Sequence, residues 1–338
     1  MDISTIEAPR EKATLPEENR DESGTTSKAK LIGKAIRMIA DRGVAFTVRR
    51  AIWRLYYERF ERQRRGLRKQ ASPALIRFLG NDFELHAATE GVSEELRLFG
   101  VHEPAATDAY LEKLSPGDHV LDVGSNLGYY LLLAAQRVGD SGWVLGFEPA
   151  PGVYEILERN VQRSPYKNVR VSQWAMGAKS GTLEFFESEV PNWGSIFQDS
   201  RLQQTRSTIV KARTVDEVVR ENPGFGPKAL RMDVEGAELM VLQGAREVLA
   251  QHKPCLFIEF HNFALGWEAV RAALLDLRRM GYSSGVLIER TWDQPWMGKW
   301  MRKRRTWKGS LESLIARVES PMNPLVASTL IFVLTASE

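Results

Sequence analysis

The chain has 338 residues, 43% of them hydrophobic, and a formal net charge of +3. That is enough apolar material for a full core, and the charge excludes an overall nucleic-acid-binding signature. A single cysteine, Cys255, excludes a disulfide framework and a cysteine-rich zinc site.

Residues 1–27 are rich in Glu, Ser and Thr and carry no apolar period, which predicts a disordered acidic tail. They lack an apolar h-region, and the run Leu325 to Leu334 is too short to span a bilayer. A cytoplasmic protein is therefore expected. Between Lys28 and Lys69 stand 14 Lys or Arg against 3 Asp or Glu, so 28–70 reads as a basic amphipathic helical extension. Its aromatic part, 44–65, is compatible with three roles. It can dock on the main domain, pair with a second subunit as a homodimer, or lie on an anionic inner membrane face.

Leu75 to Leu85 reads as a hairpin turning at Gly80-Asn81-Asp82, with short helices at Glu94–Leu98 and Ala106–Leu114. From there strands and helices alternate, as in a mostly parallel sheet covered on both faces. Strands are predicted near 119–123, 144–148, 169–174, 229–234, 255–260, 283–289 and 329–335. Helices are predicted near 128–137, 152–163, 237–250 and 266–281. An insertion between the third and fourth strands, about 181–213, offers two further strands around a loop at 191–195. A second insertion, 290–310, holds four of the nine tryptophans beside the basic run Arg302 to Arg305, a composition suited to stacking on sugar rings, a lipid head group or single-stranded RNA.

The chemistry centres on His119-Val120-Leu121-Asp122-Val123-Gly124-Ser125-Asn126-Leu127-Gly128. A strand ends in an acid, a glycine turn follows, then a helix. The pattern Asp-x-Gly-x-x-x-Gly lacks the closely spaced second glycine that a pyrophosphate demands. It suits an adenosine ligand without one, such as S-adenosylmethionine. Backbone N–H groups of Gly124, Ser125 and Asn126 are expected to meet its carboxylate, and Asp122 its ammonium, directly or through water. Gly128 opens the following helix. The second strand ends in Glu148, an ionised acceptor suited to both ribose hydroxyls. Ala175 and Met176, at the third strand end, are placed to read the adenine edge or simply to pack.

The fourth and fifth strands end in Asp233-Val234-Glu235 and Glu259-Phe260-His261. Asp233 and Glu235, two apart, share a face. Acids and a histidine at one rim suit acid–base work, with Asp233, Glu235 and His261 as the catalytic candidates. A divalent cation held by Asp233, Glu235 or Glu259 fits the same residues but is not required. The plain alternatives are a helix cap for Glu235 and satisfied rim residues for the others.

These residues resemble the FkbM family of S-adenosylmethionine-dependent methyltransferases. The likeness runs from about Gly80 to Ile288. It rests on Val120 to Tyr130, Gly146-Phe147-Glu148-Pro149, Thr214-Val215-Asp216-Glu217-Val218 and, above all, Asp233-Val234-Glu235-Gly236-Ala237-Glu238. The resemblance implies a class I methyltransferase domain over 71–338: an α/β, doubly wound, seven-stranded sheet with one antiparallel strand. It implies O-methylation of a small-molecule, glycan or glycolipid hydroxyl. It also implies that Gly124, Asn126 and Glu148 hold the cofactor, with Asp233 and Glu235 at the reaction centre. Arg231 stands where the family more often has lysine. RNA methylation and non-catalytic nucleoside binding are the rival readings.

Overall fold

The structure, a computed structural model, describes residues 55, 58, 59, 75–86, 91–188, 194, 204–297, 299–303, 305–321, 325, 326 and 328–337. The expected tail 1–27, nearly all of the basic extension 28–70 and most of the loop 191–195 lie outside them. Every element below belongs to the unit Arg64–Glu338.

Strands β1 (Leu75–Phe78) and β2 (Asn81–Glu84) form the expected hairpin, with the turn one residue early at Leu79-Gly80, both in the left-handed region. Helices α1 (Val92–Phe99) and α2 (Pro104–Leu111) lead into the alternating core. This core opens with β3 (His119–Val123), α3 (Tyr129–Val138), β4 (Trp143–Phe147), α4 (Pro151–Arg163) and β5 (Val169–Ser172). Then come β6 (Trp174–Met176), β7 (Gly181–Ser188), β8 (Gln204–Arg213) and α5 (Val215–Glu221). The chain continues through β9 (Pro227–Met232), α6 (Glu238–Gln243), α7 (Arg246–Gln251), β10 (Cys255–His261), α8 (Asn262–Leu265), α9 (Trp267–Arg279) and β11 (Tyr282–Glu289). A 3-10 turn at Arg290–Trp292, α10 (Lys299–Lys303), β12 (Thr306–Ser310), α11 (Leu311–Val318) and β13 (Thr329–Ala336) complete it.

The main sheet runs β12-β11-β13-β10-β9-β3-β4-β5. Strands β5, β4, β3, β9 and β10 are parallel, and β13 enters antiparallel between β10 and β11. That is the class I methyltransferase order, as expected. The strand order reverses between β3 and β9, so a crevice opens at their carboxyl ends. The sheet has eight strands rather than seven because the 290–310 insertion adds β12 at the edge, antiparallel to β11. Both faces are covered, which is why β3 reads as a nearly continuous apolar run. Leu121 and Val123 pack into one core, and Val120 packs into the other with α3.

Other departures have local causes. The predicted third strand splits, because Trp174–Met176 leaves the main sheet to pair with β8 in a separate sheet, β6-β8-β7. The predicted helix 237–250 breaks at Gly244, where an added Cβ would lie 2.1 Å from the Gly177 carbonyl oxygen. The Thr214–Val218 segment is a double cap: Thr214 accepts from Glu217 N at the start of α5, and Asp216 accepts from Glu247 N and Val248 N at the start of α7. The insertion tryptophans are partly covered by the chain's own arginines, with Arg305 over Trp292 at 4.6 Å and Arg317 over Trp307 at 4.4 Å. Among the described residues no helix is long and apolar enough to cross a membrane.

Gly124 is the tightest point of the crevice. Its φ is +78°, and an added Cβ would lie 1.9 Å from the Asp233 carbonyl oxygen at the end of β9. Gly124→Ala is expected to lower the unfolding free energy by about 2–5 kcal/mol, through strain at a left-handed position and a backbone clash. Urea denaturation of the two proteins would read the difference, and equal midpoints would contradict the packing described.

Candidate active site

The turn after β3 is internally satisfied. Gly124 N and Ser125 N both donate to the Phe147 carbonyl oxygen, and Asn126 N donates to Glu148 Oε2 at 2.9 Å. The Ser125 hydroxyl donates to the Asp122 carbonyl and accepts from Phe147 N. Gly128 N donates to the Ser125 carbonyl, closing the turn before α3. The expected contacts of Gly124, Ser125 and Asn126 N–H groups with a ligand carboxylate are therefore not free to form here. The turn uses those donors to lock β3 to β4.

Asp122 is also placed differently from expectation. Its side chain has 0% exposure, and its Oδ2 has no hydrogen-bond partner among the described residues. Register sets Asp122 opposite Arg231 on β9, and Arg231 Nη1 donates to Asp122 Oδ1 at 2.9 Å and to the Gly124 carbonyl at 3.2 Å. Arg231 Nη2 donates to Asp233 Oδ2 at 3.0 Å, and the guanidinium lies 4.2 Å from the centre of the Tyr130 ring. Asp233 stays 26% exposed at the crevice.

Glu148 sits at the end of β4 as the spacing predicts, 7% exposed. Each carboxylate oxygen accepts one backbone N–H, from Ala150 and from Asn126. Each oxygen keeps a further lone pair, so the group is positioned and still able to accept from a ribose diol. Burial pushes its pKa from 4.5 up to about 7; those two N–H groups pull against this, and Asp233 and Asp122 add to it. Ala175 and Met176 are buried on β6, Met176 within a core. The residues fit the nucleoside half of the expected cofactor better than they fit the contacts expected at its amino-acid end.

The acid rim does converge. His261 Nε2 lies 3.2 Å from Glu235 Oε2, 3.8 Å from Glu259 Oε1 and 3.9 Å from Asp233 Oδ1. Its Nδ1 lies 2.8 Å from Glu238 Oε1, which also accepts from Gly236 N. That oxygen acts as an acceptor, so Nδ1 carries a proton and Nε2 faces the three other acids. Burial lowers the pKa of His261, but Glu235 and Glu238 outweigh it and hold the pKa well above its ordinary value. Burial raises Glu235 to about 7, with His261 opposing and Asp233 and Glu238 adding. Burial and the neighbouring Asp233 and Glu103 push Glu259 well above the usual carboxylate range.

Several residues here had no assigned role in the sequence. Glu238, with 0% side-chain exposure, reads as an ordinary acid at a helix start, and its hold on His261 spans 23 residues. Arg290, from the insertion, contacts Glu103 and lies 3.6 Å from Glu259. Burial raises Glu103, yet Arg290, His102 and the Tyr130 hydroxyl hold it down at about 2. Glu95 accepts from or pairs with His102 Nδ1 at 2.7 Å. The His102-Glu103 lead-in was the available signal. Glu103, Asn126 and Glu235 also stand in the left-handed region, at φ 43°, 50° and 49°. Such strain in non-glycine residues gathers at functional sites.

Residues 122–284 match the methyltransferase FkbM domain. The hexuronic acid methyltransferase AglP of Haloferax volcanii is 28% identical over 151 residues, 45% of this chain and 59% of AglP. Methyltransferase 1 of Beauveria bassiana is 24% identical over 186 residues, 49% of this chain and 73% of that protein. A crystal structure of an FkbM methyltransferase from Methylobacillus flagellatus is 18% identical with a TM-score of 0.37, covering 53% of this chain and 46% of that one. The chain thus spans less than two thirds of AglP.

Because the Glu148 pKa is raised on folding, its stabilising contribution is full below the unfolded value of 4.5 and is lost as pH rises through about 7. Unfolding free energy should therefore fall between about pH 5 and about pH 8, and Glu148→Gln should reduce that fall by about 2–3 kcal/mol. Denaturant titrations at several pH values check this; identical slopes for the two proteins would refute it.

Proposed function

We propose that this chain, whose residues 122–284 match the methyltransferase FkbM domain, is an S-adenosylmethionine-dependent O-methyltransferase that acts on a hydroxyl of a sugar, glycolipid or secondary metabolite. The observation that carries this reading is the crowding of carboxylates around His261. Asp233, Glu235, Glu238 and Glu259 surround one imidazole at the strand-end rim. A cluster of proton acceptors at one rim suits an acceptor hydroxyl that must lose a proton. The likeness to a hexuronic acid methyltransferase supports a sugar as the acceptor class.

S-adenosylmethionine supplies a methyl group already activated for displacement. Glu148 would accept from its ribose, and the Gly124–Gly128 turn would position Glu148 by donating Asn126 N–H to it. Arg231 holds one oxygen of Asp233 and leaves the other, Oδ1, toward His261 and the crevice. Asp233 would take the acceptor proton as the oxygen becomes acidic, and His261, steadied by Glu238, would stabilise the group beside it. Arg290 and the lead-in acids Glu95 and Glu103 close the opposite side of the rim.

Asp233→Asn should lower methyl transfer by about 10²–10⁴-fold while leaving cofactor affinity nearly unchanged. Glu148→Ala should weaken cofactor binding instead. Labelled cofactor incubated with extracted glycans and lipids tests the whole reading. The expected product is an alkali-stable methyl ether. Label released by mild alkali would indicate an ester on a carboxylate and overturn the hydroxyl assignment, as would label recovered in RNA.

A further inference from the structure

The geometry points to a divalent-cation site in which His261 Nε2, an Asp233 oxygen and a Glu259 oxygen are the ligands, with Glu238 holding the imidazole from behind. One ligand atom from each of the three residues lies within 4.8 Å of the others. Atoms bound at about 2.0–2.3 Å to one ion stand about 3–4.5 Å apart, and His261 Nε2 stands 3.9 Å from Asp233 Oδ1 and 3.8 Å from Glu259 Oε1, both too long for hydrogen bonds.

Glu259 supplies an independent observation. It is 6% exposed, and among the described residues its carboxylate meets ion-pair partners only at distances too long for hydrogen bonds. Its approaches are 3.6 Å to Arg290 Nε and 3.8 Å to His261 Nε2. A buried carboxylate held only by such long approaches is incompletely satisfied, and the same oxygen, Oε1, is the one nearest both Arg290 and His261. The cations facing the cluster are Arg231, already held by Asp122 and Asp233, and Arg290, shared with Glu95 and Glu103. Four carboxylates therefore meet one imidazole with little positive charge to spare.

The imidazole is arranged as a ligand. Glu238 Oε1 accepts from Nδ1–H at 2.8 Å and leaves Nε2 toward the acids, where a bound cation would take the place of the Nε2 proton. A carboxylate behind a coordinating histidine fixes its tautomer and its ring direction. One nitrogen and two carboxylate oxygens suit Mn²⁺ or a similar first-row ion and leave coordination positions open. A hydroxyl bound to such an ion loses its proton more readily. This role, though not the binding itself, rests on the methyl-transfer reading.

Mn²⁺ alone, titrated into the full chain and followed by the resonance signal of the free ion, is expected to fill one saturable site. Glu259→Gln and His261→Gln should each abolish or strongly weaken it, and Glu238→Gln should weaken it about 10–100-fold. Asp276→Asn, at the exposed pair with Arg246, should bind as the parent does. Mn²⁺ should also raise the thermal midpoint of the parent and of Asp276→Asn but not of the other variants, which separates lost binding from lost folding. No saturable site at millimolar Mn²⁺, or equal binding by Glu259→Gln and His261→Gln, would overturn the assignment. Cofactor and acceptor are absent from this titration, so a silent result leaves the methyl-transfer reading intact, and failure of that reading leaves the titration to stand.

Discussion

A buried guanidinium must be paired, and that requirement organises the centre of this molecule. Arg231 is 5% exposed and joins Asp122 on β3 to Asp233 beyond β9. The two strands are neighbours at the place where the sheet order reverses. Removing either acid would leave the buried guanidinium with one carboxylate in place of two. The pair thus fixes the crevice floor, and Tyr130, stacked on the guanidinium, ties the following helix to it. Asp122 holds the cation that in turn holds Asp233.

The crevice is completed from outside the central repeat. Asp293 accepts from Ala105 N and Ala106 N, so the insertion after β11 caps α2, which lies far earlier in the chain. Arg290, three residues before it, reaches Glu103 and Glu259 together. The lead-in helices and the insertion therefore meet over the rim, the lead-in and the 290–310 insertion both lying outside the matched domain at 122–284. Pairing of Arg305 with Trp292 and Arg317 with Trp307 makes the insertion a braced wall.

Much of the fold was legible in the residues. Apolar runs of strand length, separated by helical periods, determine the strand–helix alternation because each strand must bury both faces. The glycine at 124 and the acid at 148 determine a turn and a terminal carboxylate at the switch point. Sequence could not show that the turn's N–H groups are taken by Phe147 and Glu148, nor that Asp122 is sealed. Both depend on which strands become neighbours and in what register. The same holds for Glu238: its partner His261 is close only because β10 lies beside β9. Local pattern sets the elements and their ends. Which charges meet in the crevice, and which of them remain open to a ligand, is decided by long-range pairing, since burial and Coulomb interaction act between neighbours in space rather than along the chain.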